Sequence, residues 1–535
     1  MIHRTAAPAS RPSSHRATEK KLRYTLVLIA LLLGSWSAAV FAGGGLYDQP
    51  FRPQFHFTPL KNWMNDPNGL VYYKGEYHLF FQYNPFGNKW GHMSWGHAVS
   101  RDMVHWHQLP LAIPEQNGVM IFSGSAVVDR HNSSGFCKRS SAGDDSCLVA
   151  IYAGRTPKEQ NQNVAYSNDR GRTWTKYSHN PVIDLHLANF RDPKVFWYER
   201  GHKWVMVTVL AAQHKVRLFG STDLKHWTAL SDFGPAGAVG GAWECPDLFE
   251  LPVEGEPGQT RWVLSVNVNP GGVAGGSGNQ YFVGRFNGTK FIDENPGSKV
   301  LWADYGKDFY ASTSFSDIPP SDGRRIWMGW LGNWQYAARF PTNPWRGAQS
   351  IPRALKLKRF PQGIRLIQQP IRELKTLRGR HVAIENASVE AANRVLQSKA
   401  VGGDTLEIEA TIEPGNAKSF GFEVRKGRTQ QTTLGVDRVK SELFVDRTRS
   451  GNTSFDPRFP GRQAAPLNVA SGQAVELHIF VDRSSVEVFA NHGARVISDR
   501  IFPSLASRGV ALYSRGGDAK IVKLEFWNLK PAWGK

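Results

Sequence analysis

The chain has 535 residues, of which 41% are hydrophobic and 21% charged, so it has material for more than one core and is neither fibrous nor disordered in composition. Its formal net charge of +20 is scattered: Arg353, Lys356, Lys358 and Arg359 sit among apolar residues as in a strand, and no helix-turn-helix, zinc finger or other nucleic-acid motif accompanies the charge. The three cysteines lack metal-ligand spacing, and the 18 tryptophans suit either sugar-ring contacts or the aromatic core of a large β protein.

Residues 1–23 are polar and basic. The run from Thr25 to Ala42 is apolar and ends in small residues, with Val40 and Ala42 where a signal peptidase reads. We expect a signal peptide over 1–42, and hence a secreted protein, extracellular or periplasmic, free of the membrane once processed. The apolar run is near the lower length of a membrane span, so an uncleaved anchor is the other reading. No later segment is apolar enough to cross a membrane.

Beyond Leu46 the chain reads as short strands and turns. Residues 69–84 form two aromatic-rich strands around Lys74-Gly75, and 194–210 repeat that design around Arg200-Gly201. A weaker echo follows Gly258. Cys137 and Cys147 bracket a Ser/Gly/Asp-rich loop that suits a small disulfide in an oxidising compartment. The patterns SRDMVHW (100–106), SNDRGRTW (167–174) and STDLKHW (221–227) recur as Ser-x-Asp, a gap, then Trp. An Asp in a turn binds nearby backbone N–H groups, and a Trp fills the space between sheets. Repeats at this spacing predict a propeller whose blades are four-stranded sheets.

Asp66, Ser123, Asp192, Glu244 and Asp308 recur at intervals of 52 to 69 residues as candidate strand starts. Five starts predict five blades, with these side chains converging at one mouth of the central channel. After Pro370 the pattern changes. Residues 404–413 and 475–482 alternate apolar and polar strictly, and EVFAN and KIVKLEFWNL follow, as in a β-sandwich with one buried face per strand. The expected organisation is all-β: a five-bladed propeller over 48–355, a linker over 356–372 and a sandwich over 373–535.

Three motifs carry carboxyl groups. WMNDPNG (63–69) holds Asp66 in what reads as a tight turn, FRDP (190–193) sets Arg191 beside Asp192, and WECPD (243–247) sets Glu244 between Trp243 and Cys245. Each alone is ordinary turn or strand-end chemistry. Together they place three carboxyls, each close to Trp, Phe or Arg, on three blades of one channel. Glycoside hydrolysis needs one ionised carboxylate to attack the anomeric carbon and one protonated carboxyl to release the leaving oxygen. Asp66, among backbone N–H groups, suits the first role. Glu244, against an apolar wall and near a second anion, suits the other.

These motifs, with FSGSA (122–126), WGHMSWGHAVSRDMVHW (90–106), GWLGNWQY (329–336) and FVDRSSVEVFAN (480–491), resemble glycoside hydrolase family 32, which includes invertases, exo-inulinases and levanases. The resemblance covers most of the chain after residue 42 and implies a propeller followed by a sandwich. It implies Asp66 as nucleophile, Glu244 as acid/base and Asp192 as transition-state stabiliser. Asn65, Gln82, Trp90, Phe122, Ser123 and Arg191 would line a fructose subsite, Trp334 rather than Trp330 would be a wall, and Cys245 would tune Glu244. No cofactor or metal is implied. The expected substrates are levan, inulin and sucrose, cut from the terminal fructose. A sucrose-preferring invertase, a fructosyltransferase on the same triad and a non-catalytic fructan-binding protein are the alternatives. A sialidase lacks its nucleophile and arginine cluster here.

Overall fold

The structure, a computed structural model, describes residues 47–138, 144–470 and 472–533; the expected signal peptide lies outside them. The two hairpins expected from sequence form as read. Tyr73 pairs with Glu76 across Lys74-Gly75, and Tyr198 pairs with Lys203 across a short 3₁₀ turn at Glu199–Gly201. Each begins a blade of a five-bladed propeller.

The innermost strands of the blades are Asn62–Tyr73, Met120–Asp129, Phe190–Tyr198, Ala242–Glu254 and Tyr310–Ser314. Each packs against the next, and the fifth packs against the first, so the strands form a closed ring. Closure is covalently staggered: Trp345–Arg346 pairs in parallel with Asn62 and Trp63, so chain from beyond the fifth blade's first strands completes the first blade. A closed ring leaves no exposed inner sheet edge.

The Ser-x-Asp…Trp repeats all join the third and fourth strands of a blade, between Ser100 and His107, Ser167 and Thr175, and Ser221 and Thr228. In the first, Asp102 accepts from the backbone N–H of Val104 and His105, and the Trp106 indole donates to Met103 O. Asp169 with Trp174 and Asp223 with Trp227 repeat the arrangement. Blade four uses Asn287, which accepts from Thr289 N and Lys290 N, a version the Ser-x-Asp pattern does not capture. Cys137 and Cys147 form a disulfide across the first connection of blade two.

The expected linker over 356–372 is instead a hairpin, Arg353–Phe360 with Gly363–Pro370, that belongs to blade five. Its alternation explains this. Leu355, Leu357, Ile364 and Leu366 are buried with Phe249 and Trp327, while Lys356 and Arg359 face outward to Glu254 and Glu256. Parallel pairing of Val253 and Glu254 with Leu357 and Lys358 joins blades four and five into one continuous sheet.

From Arg378 the chain forms a sandwich of a six-stranded and a five-stranded antiparallel sheet. The alternating strands Leu406–Glu413 and Val475–Asp482 pair in the first sheet, with Ile408, Ile412, Leu477 and Ile479 in the core. One ten-residue α-helix, Val389–Ser398, packs on it through Ala392 and Leu396, and the Ser388 hydroxyl caps it by accepting from Ala391 N–H.

Buried charges join sandwich to propeller. Arg353 reaches Asp304 at 2.9 Å and Glu487 at 2.5 Å, and His56 bridges Asp482 and Glu487 at 2.8 Å each. Burial opposes charging of His56, but these two carboxylates outweigh it and raise its pKa. Asp308 also serves this interface, bonded to Arg447 and Tyr336. Its expected place in the channel ladder is therefore wrong: Asp308 precedes the fifth innermost strand and is claimed by Arg447, with which it forms a buried pair.

Candidate active site

All five innermost strands lose register with their neighbours near one end. The breaks fall between Met64 and Pro67, Ile121 and Gly124, Arg191 and Lys194, Glu244 and Asp247, and Tyr310 and Thr313. A bulge leaves residues unpaired, bends the strand and re-aims a side chain. Three of the bulges contain proline, Pro67, Pro193 and Pro246, which has no N–H to leave unsatisfied. Asp192 and Cys245 stand at φ 62° and 45°, a conformation that costs of order 1–3 kcal/mol for a residue with a side chain. Asp66 is thus on a bulged strand, not in the tight turn its Asn-Asp-Pro-Asn-Gly context suggests. Gly69 is required at φ 53°, where a Cβ would lie 2.6 Å from Phe80 and 2.9 Å from Trp95.

These bulges bring together Asn65, Asp66, Gln82, Trp90, Phe122, Ser123, Arg191, Asp192, Glu244 and Trp334, which line one cavity of ≈ 220 Å³. Every residue assigned to the triad or the fructose subsite is in that lining; Cys245 and Asp308 are not. Trp334 stacks on Trp63 at 5.9 Å, while Trp330 is fully buried behind it.

The three carboxyls are held differently. Asp66 Oδ2 accepts from the Ser123 hydroxyl at 2.7 Å, and Oδ1 accepts from Asn65 Nδ2 at 2.9 Å. Asn65 is itself fixed by the Trp63 indole N–H at 2.7 Å. Asp192 Oδ2 accepts from Cys245 N–H at 2.9 Å. Glu244 Oε1 accepts from Arg191 Nη2 at 3.0 Å, and Oε2 accepts from the Tyr310 hydroxyl. Tyr310 is the functional residue missed in the sequence. It lies at the fifth bulge, two residues after Asp308, and a bulge leaves no compositional mark by which to choose between them.

Cys245, expected to tune Glu244, points its thiol at the other two carboxyls. Its Sγ lies 3.6 Å from Asp66 Oδ2 and 3.7 Å from Asp192 Oδ2, because the left-handed backbone at Cys245 directs consecutive side chains 244 and 245 to different neighbours. Burial, reinforced by the surrounding carboxylates, pushes its thiol well above the usual range, so it is a neutral donor.

Burial, then repulsion from Glu244, raises Asp66 to about 6, against the hydrogen bonds from Ser123, Asn65 and Cys245. Burial also raises Asp192 to about 7, opposed first by Arg191. Arg191 thus pairs with Glu244 and lies 3.8 Å from Asp192, while Asp66 is held by neutral donors, and near neutral pH the cluster retains a proton. Such a cluster supplies a proton donor and a carboxylate nucleophile within one pocket, which is the equipment of a glycosidase.

A propeller mouth with paired carboxyls defines the chain as a glycoside hydrolase. The sequence profile of the glycosyl hydrolases family 32 N-terminal domain matches residues 56–370, and that of the family 32 C terminal matches 373–528; the chain belongs to this family. It is 53% identical to levanase of Bacillus subtilis over 96% of this chain and 76% of that protein. It is 42% identical to the extracellular exo-inulinase of Aspergillus ficuum over 91% of this chain and 96% of that protein. The crystal structure of exo-inulinase from Aspergillus awamori superposes with a TM-score of 0.83 at 39% identity, covering 91% of this chain and all of that one.

Proposed function

We propose that the chain is a retaining, exo-acting β-fructosidase that removes terminal fructose from levan, inulin and sucrose. The observation that carries this is the differential holding of Asp66 and Glu244 in the lining of one small cavity. Ser123 and Asn65 donate to Asp66, which favours its anion, while Glu244 accepts from Arg191 and Tyr310.

Glu244 gives its proton to the glycosidic oxygen as the bond to fructose C2 breaks, and Asp66 forms an ester with C2. Water, losing a proton to Glu244, then attacks C2, and Asp66 leaves as the carboxylate. Asp192 accepts hydrogen bonds from fructose hydroxyls, and Arg191 restrains the orientation of Glu244. Phe122, Trp90 and Trp334 form the apolar walls.

The cavity floor is closed. Pro67, Pro193, Pro246, Lys194 and Thr313 fill the channel below it, leaving a void of only ≈ 10 Å³. A closed pocket admits a chain end and not an internal unit, hence exo action. The chromatogram of an early time point on levan and inulin should show free fructose before any oligomer, and NMR of the first product should show retention at C2. Oligomers first, or inversion, would overturn the reading. Among the described residues no helix is long and apolar enough to cross a membrane. The extracellular relative supports export, with removal of residues 1–42.

A further inference from the structure

The propeller axis has a second opening. The innermost strands of blades two, three and four run from the active-site cavity to a larger cavity of ≈ 450 Å³ at their other ends, bordered by Val128, Trp197, Leu248 and, just past the fifth strand, Ser316. Ser123 and Val128 lie on one strand five residues apart, so the two cavities are separated by roughly 15–20 Å at the usual rise of a strand. They are not one tunnel. The proline-rich plug leaves ≈ 10 Å³ between them, too little for a sugar to pass, so the far cavity is not a product exit.

Its lining is unusual for a structural void. Asp247 is completely buried; its Oδ2 accepts from Ser314 N–H at 2.7 Å, but its Oδ1 has no partner. A buried carboxylate oxygen without a donor is costly, and it leaves a fixed negative charge beneath the cavity wall. Lys194 Nζ stands 3.9 Å from Asp247, donating to Ser314 O and to Thr313 Oγ1, and burial lowers its pKa. Arg325 faces the same space and uses Nη1 on Phe315 O. Half-buried Phe196 and Trp197 form a wall, backed by Trp262 and Trp204.

The charges around the cavity alternate in sign, with Arg200 paired to Glu250 and Arg130 to Asp317 at its rim. An anion placed inside meets Asp247; a cation meets Lys194 and Arg325. A neutral polyol meets neither conflict. Sugar hydroxyls accept from Arg325 and donate to Glu250, and the C–H face of a sugar ring lies on Trp197. The cavity has about twice the volume of the active-site cavity, which we assign to one terminal fructose, so it has room for about two sugar units.

We propose that this far mouth is a second, non-catalytic carbohydrate site that binds a short neutral oligosaccharide, such as a fructan end. It rests in part on the reading of the substrate given above. Because the two mouths open on opposite faces, the second site holds another chain end and keeps the enzyme on the polymer, a bivalent attachment.

The test uses the full-length exported chain with Asp66→Asn, so that sugar is not consumed. Isothermal titration with short levan- and inulin-type oligosaccharides should report two sites. Adding Trp197→Ala should weaken one of them at least tenfold and leave the other unchanged. Crystals of Asp66→Asn soaked in the same sugars provide a check that needs no second substitution. Sugar in both cavities supports the proposal. Sugar in the active-site cavity alone, with a stoichiometry of one, overturns it. Sugar in the far cavity alone would leave the second site standing and refute the proposed fructose pocket.

Discussion

Ser123→Ala should move the acid limb of the pH profile without moving the chemistry. The Ser123 hydroxyl donates to Asp66 Oδ2 at 2.7 Å and has no bond to Asp192 or Glu244. Donation favours the anion, so its removal raises the carboxyl pKa. A hydrogen bond to a charged group contributes ~1.5–3 kcal/mol, and 1.36 kcal/mol corresponds to one pKa unit. Water entering the space of the lost hydroxyl restores part of this, leaving a rise of about one unit. Asp66 would move from about 6 to roughly 7. The assay is kcat/KM on sucrose from pH 4.5 to 8, plotted as the ratio of variant to parent, which cancels the basic limb common to both. At pH 6 the parent is half ionised and the variant about one-tenth, so the ratio should be about fivefold lower there than at pH 8. A ratio flat in pH, with the loss the same at every point, would refute the assignment of the limb to Asp66. So would a limb that moves to lower pH.

Asp66→Asn should abolish turnover on every substrate and stabilise the fold. A carboxyl raised from 3.8 to about 6 costs stability once it ionises, so the cost is absent below 3.8 and complete above about 6. At pH 7.5 the variant should gain ~1–3 kcal/mol, read as a raised Tm that disappears at pH 3.5; a lower Tm at pH 7.5 would contradict the burial argument. Glu244→Gln should lower kcat on sucrose by about 10²–10⁴ but spare the first step on an activated aryl fructoside; equal loss on both would remove Glu244 as the acid. Tyr310→Phe should lower kcat more than it raises KM, since Tyr310 contacts Glu244 Oε2 and does not line the cavity; an effect on KM alone would make it a binding residue. Chelation should leave kcat unchanged, because the pocket carboxyls are already bound by Ser123, Asn65, Arg191 and Tyr310; activity lost to chelator and restored by one divalent ion would refute this.

The parts of the fold governed by local rules were legible in the sequence. The hairpins at Lys74-Gly75 and Arg200-Gly201 follow from turn chemistry, and the Asp102, Asp169 and Asp223 turns from a side chain that replaces backbone acceptors. The sandwich strands follow from alternation. The hairpin at 353–370 alternates equally well, and its first residues read as a strand; its place in blade five was not legible, because the Glu254 and Glu256 that pair with Lys356, Lys358 and Arg359 lie a hundred residues earlier. Asp308 fails for a similar reason. Its partner Arg447 lies in the sandwich, and no local pattern announces a pair formed across two domains.

The site itself depends on a feature with no letter code. Convergence of Asp66, Ser123, Asp192 and Glu244 was expected from blade spacing, and the cavity contains all four. What converts convergence into chemistry is a register break at the same height on all five innermost strands. A regular strand sends alternate side chains to opposite faces and would place adjacent residues such as Arg191 and Asp192 apart. The bulge lets both enter the mouth, where Arg191 reaches Glu244 while Asp192 accepts from Cys245 N–H. The three Pro residues then close the floor immediately beneath. The same local distortion therefore gathers the carboxyls, strains the backbone at Asp192 and Cys245, and seals the pocket. Exo specificity and catalytic geometry are, on this account, two consequences of one bulge repeated around the ring.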